Sequence, residues 1–101
     1  MKEDRVIRAA MIRGRVQGVG FRFWTEREAT ARGLEGWVRN RSDGTVEAVF
    51  AGPHAAVEAM LAAARRGPRS AHVEAVDVRE AGADALDARH PGETFSQLST
   101  V

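Results

Sequence analysis

Residues 14–22 read Gly-Arg-Val-Gln-Gly-Val-Gly-Phe-Arg and connect a short apolar run to a run of helical periodicity. Glycine tolerates positive φ and carries no Cβ, so a loop with this glycine spacing can turn successive N–H groups towards an anion. The helix that follows begins near Phe21, and its unpaired first-turn N–H groups lie at the same place. Arg22 adds a guanidinium suited to two oxygens of a phosphate. The segment predicts an anion-binding loop, although glycine-rich turns between a strand and a helix are also common as purely structural features.

The loop does not match the two best-known phosphate signatures. It lacks the Gly-Lys-Ser/Thr ending of a P-loop, and Gly18-Val19-Gly20 lacks the third glycine of a dinucleotide-binding fingerprint. A phosphate site at this loop would therefore have to be of another kind.

Length and composition limit the possible classes of protein. With 101 residues, 44% of them hydrophobic, we expect residues 1–101 to form a single domain with one core. The net charge of +1 implies no bulk attraction to nucleic acid or membrane. The chain has no cysteine, which excludes disulfides and fits a reducing compartment. Because residues 1–5 lead into no apolar segment, we expect no signal peptide and a cytoplasmic protein.

Hydrophobic periodicity and turn residues predict the order of secondary structure. The first four predicted strands cover residues 6–13, 34–41, 45–50 and 71–79, and a short fifth strand is expected at 95–101. A first helix is expected at 21–32, capped by Gly33. A second helix is expected between Pro53 and Gly67, with a buried stripe at Val57, Met60, Leu61 and Ala64. Residues 80–94 are predicted to form a surface loop.

This order, strand–helix–strand–strand–helix–strand, is that of the split βαβ or ferredoxin-like fold. We therefore expect an α+β sandwich with an antiparallel sheet of four to five strands. Two helices should cover one face, and the first and third strands should lie at the centre. Such domains have many functions, so the order alone does not assign one.

Two separated motifs connect the chain to a known family. Residues 14–22 are followed by Thr25, then by Gly-Leu-Glu-Gly-Trp-Val-Arg-Asn at 33–40 and Asp-Gly-Thr-Val at 43–46. With this spacing, the chain resembles the acylphosphatase family from about residue 6 to residue 95. The resemblance implies hydrolysis of an acyl phosphate to a carboxylate and inorganic phosphate, with no cofactor. Phosphate would be both a product and a competitive inhibitor, and we expect a monomer.

The same resemblance assigns roles to individual residues. Arg22 and Asn40 would be catalytic, with Arg22 holding the phosphate and Asn40 orienting the attacking water. The phosphate-binding loop would consist of Arg15, Val16, Gln17, Gly18, Val19 and Gly20. Asn40 also precedes a Ser-Asp-Gly turn, where asparagine often serves only to form the turn. Arg41 departs from the family pattern, in which a small hydroxyl residue is frequent, and this departure bears on the water network beside Asn40.

Other kinds of chemistry find little support in the sequence. The histidines His54, His72 and His90 have no metal-ligand spacing, and no serine or cysteine lies in a nucleophile pattern. One alternative function is a non-catalytic anion-binding module, like the domain at the start of larger carbamoyl-transfer maturation proteins. Another is an RNA-binding domain, which would need exposed aromatic residues on the central strands, where only Phe50 is available. The sequence does not specify the physiological acyl phosphate.

Overall fold

The computed structural model describes residues 4–101. Residues 1–3, which belong to the predicted single domain, lie outside the described residues. The elements in chain order are β1 (Arg5–Arg15), α1 (Phe21–Ala31), β2 (Glu35–Asn40), β3 (Val46–Pro53), α2 (His54–Arg66), β4 (His72–Glu80), a 3₁₀ helix (Ala83–Ala88) and β5 (Phe95–Gln97). The predicted order of strands and helices is confirmed.

The strands form one sheet in the order β4-β1-β3-β2-β5. β1 pairs antiparallel with β3 and with β4, and β2 pairs antiparallel with β3. β5, however, runs parallel to β2, with Gly36 opposite Phe95. The expectation of an antiparallel sheet is therefore wrong at this edge, and the sheet is mixed. β4 and β5 lie at opposite edges of the sheet, so the chain between them crosses the sheet and brings β5 beside β2.

The segment predicted as a surface loop, residues 80–94, is more ordered than expected. Glu80 is the last residue of β4, and the 3₁₀ helix follows with Leu86 buried. β5 is also shorter than the predicted strand at 95–101, because it ends at Gln97. This part of the chain covers the sheet face opposite the helices. There Leu86 and Leu98 pack in one cluster with Trp37 and with apolar residues of β1 and β3.

Both helices pack on the same face of the sheet. α1 buries Phe21, Thr25 and Ala29, which are spaced one helical turn apart, and the α2 stripe predicted from the sequence is buried as expected. These side chains share one core with the inward-facing residues of the central strands, which are Ala10, Ile12, Val38, Val46, Ala48 and Phe50. The alternation along each strand separates this core from the cluster on the other face.

The end of α1 determines where β2 starts. Gly33 has φ 71°, a left-handed conformation that glycine adopts readily. The N–H of Gly33 donates to Thr30 at 3.0 Å, and the N–H of Leu34 donates to Ala29 at 3.0 Å. This arrangement is the predicted C-terminal cap. It turns the chain into β2, which ends at Asn40.

Candidate active site

A bulge shapes the end of β1 just before the loop. The register between β1 and β4 shifts between Arg13 and Gly14. Gly14 has φ 125°, and a Cβ at this position would overlap the carbonyl oxygen of His72. Bulges of this kind bend a strand and redirect the residues that follow. Glycine is therefore required here both for its conformation and for the close approach of β4.

The loop itself depends on two further glycines. Gly18 has φ 72° and Gly20 has φ 77°, and no neighbouring atom lies within 4 Å of a Cβ built at either position. Their role is thus conformational rather than steric. Between them, Val19 packs against the helix-side core, and Val16 is buried at the start of the loop. The loop is anchored by apolar side chains while its glycines form the turn.

The loop and the first turn of α1 present a row of free N–H groups. The first hydrogen bond of the helix is donated by Trp24 to the carbonyl oxygen of Gly20, at 3.0 Å. Among residues 4–101, no protein group accepts a hydrogen bond from the N–H groups of residues 17–23. The first turn of α1 also carries no acidic side chain. Consecutive free donors at the positive end of a helix dipole are a strong arrangement for binding an anion.

These N–H groups border a pocket of about 170 Å³. The pocket is lined by Val16, Gln17, Gly18, Gly20, Phe21, Arg22, Phe23, Asn40 and Gln97. Arg22 is half-buried, and its guanidinium makes no hydrogen bond or ion pair with any residue in the range 4–101. Its donors are therefore free to bind a ligand in the pocket, on the same wall as the loop.

Two residues of the predicted phosphate loop do not line the pocket. Arg15 is the last residue of β1, where it is exposed and pairs with His72. Val19 points into the core, and its carbonyl oxygen accepts a hydrogen bond from the Ser70 hydroxyl at 3.1 Å. A role for either residue in phosphate binding stays a prediction that concerns the backbone N–H.

Asn40 reaches the pocket from the end of β2. Its backbone is held by pairing with Val46 and by the N–H of Val101, which donates to the Asn40 carbonyl oxygen at 3.2 Å. Its side-chain amide makes no hydrogen bond within the described part of the chain. The turn that follows is held by Asp43, whose carboxylate accepts from the Thr45 N–H at 3.0 Å and from the Thr45 hydroxyl at 2.6 Å. The Asn40 side chain thus makes no hydrogen bond to this turn.

The loop and the β2–β3 turn are bonded to each other through Gln17. Its side-chain amide donates to the carbonyl oxygens of Arg41, at 2.7 Å, and Thr45, at 2.8 Å. Because Arg41 follows Asn40 directly, these bonds fix the distance between the loop N–H groups and Asn40. The pocket is therefore built as one unit from β1, α1 and β2.

The acylphosphatase family model matches residues 8–90. An acylphosphatase from Nitrobacter hamburgensis is 58% identical over 98 residues, which cover 97% of this chain and 99% of the relative. The chain belongs to the acylphosphatase family. This finding confirms the resemblance drawn from the two sequence motifs, and it makes the protein an acylphosphatase.

Two solved structures are also similar to this chain. Acylphosphatase from Bacillus subtilis is 35% identical with a TM-score of 0.79, and the match covers 92% of this chain and 98% of that one. Full-length HypF, in a phosphate- and nucleotide-bound form, is 25% identical with a TM-score of 0.83. That match covers 99% of this acylphosphatase but only 13% of HypF.

The Arg41 side chain of this acylphosphatase is directed away from the pocket. Its guanidinium donates to the Glu47 carboxylate at 3.0 Å, and Arg39 donates to the same oxygen at 2.9 Å. Glu47 is almost fully buried and is neutralised by these two arginines. The Arg41 side chain does not line the pocket, so the departure from the family pattern adds no guanidinium beside Asn40.

Three residues that line the pocket were not identified from the sequence, namely Phe21, Phe23 and Gln97. Phe21 is almost fully buried, so most of its side chain belongs to the core. Phe23 lies outside the buried stripe of α1. An aromatic residue next to Arg22 and off this stripe was the sequence feature that could have indicated its place at the pocket. Gln97 donates to the Glu26 carboxylate at 2.6 Å. No local pattern could have indicated it, because its position depends on the parallel pairing of β5 with β2.

Further features of the structure concern RNA binding, metal ligation and membrane spanning. Phe50 is fully buried on the helix side of the sheet and stacks on Phe95, with ring centroids 6.0 Å apart. It is therefore not a surface platform for RNA bases. Among residues 4–101, no three histidine or acidic side chains are grouped as metal ligands. None of the helices in this range has the length and apolar character to cross a membrane.

Proposed function

We propose that this acylphosphatase binds the phosphate of its substrate with the N–H groups of residues 15–20 and the guanidinium of Arg22, while Asn40 orients the attacking water. One observation carries the proposal: a single pocket joins a row of free N–H groups, a guanidinium without a protein partner and an asparagine amide without a protein partner. Phosphoryl transfer needs mainly positioning and stabilisation of charge on the phosphoryl oxygens. Preorganised N–H donors and a fixed positive charge supply both.

The chemistry requires few other groups. Water adds to phosphorus, the bond from phosphorus to the acyl oxygen breaks, and the proton released by the water remains on the phosphate product. The leaving group is a carboxylate, whose acid has a pKa near ~4, so it departs without protonation. Asn40 offers both a donor and an acceptor to the water and does not change charge with pH. Its backbone is held on both sides, which keeps the amide in place.

The proposal also covers the domain organisation, inhibition, partners, oligomeric state and location of the protein. We infer a single domain over residues 1–101, competitive inhibition by inorganic phosphate, and no nucleic-acid or membrane partner. A monomer is supported by the few large hydrophobic side chains exposed among residues 4–101, which are Phe23, Val78 and Val101. A cytoplasmic location is supported by the absence of cysteine from the sequence.

The test compares two variants of the pocket. Asn40→Ala should lower kcat by roughly 10²- to 10³-fold and leave KM and the phosphate inhibition constant nearly unchanged. Arg22→Ala should weaken phosphate inhibition, because its contact exists in the ground state, and it should also lower kcat, because the same contact becomes stronger as charge develops on the phosphoryl oxygens in the transition state. Arg65→Ala, which removes an exposed arginine at the end of α2, is the matched control and should change neither.

Two results would contradict the proposal. The water-holding role is wrong if Asn40→Ala melts early while its folded fraction retains normal kcat, because Asn40 would then be a structural residue. Tight phosphate binding by the wild type without hydrolysis of acyl phosphates would indicate the non-catalytic anion-binding module instead. Melting temperatures of all three variants complete the comparison.

A further inference from the structure

Phe23 is an aromatic residue that the fold leaves exposed at the pocket. Its side chain is 58% exposed and lines the pocket beside Arg22, outside the buried stripe of α1. The other large hydrophobic side chains exposed among residues 4–101, Val78 and Val101, do not line this pocket. An exposed ring forgoes the free energy that burial would supply. A ligand that covers the ring would recover part of it.

The proposed function assigns the other walls of the pocket. The phosphate occupies the loop and Arg22, and the water lies at Asn40. Gln97 is already bonded, since it pairs with Val38 of β2 and its side chain donates to Glu26 of α1. In phosphoryl transfer the attacking and leaving oxygens are roughly in line through phosphorus. The acyl group must therefore extend away from Asn40. Of the apolar side chains that line the pocket, Val16 and Phe21 are buried and Phe23 is exposed, so Phe23 is the one available to contact the acyl group.

The ring of Phe23 contacts one neighbouring side chain of α1. The guanidinium carbon of Arg27 lies 5.7 Å from the ring centroid, one helical turn further along α1, in a cation–π contact. This contact uses one face of the ring and restricts its rotation. The remaining surface of the ring is exposed and can contact an apolar group of a ligand.

We propose that Phe23 binds the acyl group of the substrate and favours aromatic or bulky apolar acyl phosphates over short ones. This inference rests on the proposed function, because it takes the phosphate and water positions from it. Packing of two aromatic groups corresponds to about three- to tenfold in a rate or binding constant. The preference should appear in kcat/KM, since the contact is made throughout the reaction.

The test is the ratio of kcat/KM for benzoyl phosphate to that for acetyl phosphate. Phe23→Ala should reduce this ratio by about three- to tenfold, and Phe23→Leu should give an intermediate reduction. Both variants should keep the wild-type inhibition constant for inorganic phosphate. Val78→Ala, which truncates an exposed apolar residue away from the pocket, should keep the wild-type ratio. Both substrates are measured on one preparation, so any loss of folded protein cancels in the ratio.

The outcomes separate this inference from the proposed function. An unchanged ratio in Phe23→Ala, or an equal fall in kcat/KM for both substrates, would overturn the role of Phe23 while the effects of Arg22→Ala and Asn40→Ala still supported the proposed function. Normal hydrolysis by Arg22→Ala and Asn40→Ala would overturn the proposed function. The position inferred for the acyl group would then be overturned as well, because it is derived from the proposed function.

Discussion

The side-chain amide of Gln17 donates a hydrogen bond of 2.7 Å to the carbonyl oxygen of Arg41. The bond joins the loop after β1 to the residue that follows Asn40. A second bond from the same nitrogen reaches Thr45 at 2.8 Å. The groups proposed to hold the phosphate and the water are therefore connected by two hydrogen bonds from one side chain.

Replacing Gln17 should affect both stability and catalysis. Gln17→Ala removes the partner of two carbonyl oxygens in a half-buried position, and the free energy of unfolding should fall by about 1–3 kcal/mol. The loop should also lose its fixed distance to Asn40, so kcat/KM should fall. Urea unfolding and steady-state kinetics measure the two effects.

The matched control for Gln17 is Ser70→Ala. Ser70 donates an exposed hydrogen bond to Val19 of the same loop, and its loss should change the free energy of unfolding by no more than about 0.5 kcal/mol. Equal effects of the two substitutions on kcat/KM would show that Gln17 has no special role in setting the pocket.

Gly36 should be the most sensitive glycine of the β2–β3 hairpin. Its φ is 146°, and a Cβ there would overlap the carbonyl oxygen of Val49 on β3. Gly36→Ala should therefore cost about 3 kcal/mol or more, from backbone strain and the separation of two strands. Gly44 has φ 95° with open space around it, so Gly44→Ala should cost only about 1–2 kcal/mol. A similar loss of melting temperature in both variants would contradict this account.

The turn after Asn40 should lose stability in acid. The hydroxyl of Thr45, followed by its N–H, lowers the pKa of Asp43 below the ordinary value. The folded state thus favours the carboxylate, and its contribution is complete above the unfolded pKa of about 3.9 and is lost as the pH falls through the lowered value. Wild type should therefore be more stable than Asp43→Asn at pH 7. The gap in melting temperature between them should close below about pH 4, and a gap that stays constant down to pH 2.5 would contradict the assignment.

Local sequence signals predicted the parts of the fold whose contacts are local. The glycine cap at Gly33, the Asp43-Gly44 turn and the helical stripe that includes Val57 all depend on residues within one or two turns of each other. The parallel pairing of β5 is different, because it depends on how residues 81–94 cross the sheet. Without that pairing the sequence does not predict Gln97 at the pocket.

The candidate site was predictable to a similar extent. The resemblance drawn from the two motifs indicated that Arg22 and Asn40 belong to one site, and both line the same pocket. The sequence did not indicate in which direction the side chains around the site point. The sequence places Gln17 in the phosphate-binding loop, and its side-chain bonds to Arg41 and Thr45 follow only from the folded hairpin. The direction of the Arg41 side chain likewise depends on the burial of Glu47 on the neighbouring strand.

The central claim is that the loop N–H groups and Arg22 hold the phosphate. Its most direct test is a titration of the ¹⁵N-labelled protein with inorganic phosphate, followed by the backbone amide resonances. We expect saturable shifts concentrated in residues 15–22, retained in Asn40→Ala and moved to much higher phosphate concentration in Arg22→Ala. Shifts concentrated elsewhere, for example at the arginines that end α2, with residues 15–22 unchanged at saturation, would contradict the claim.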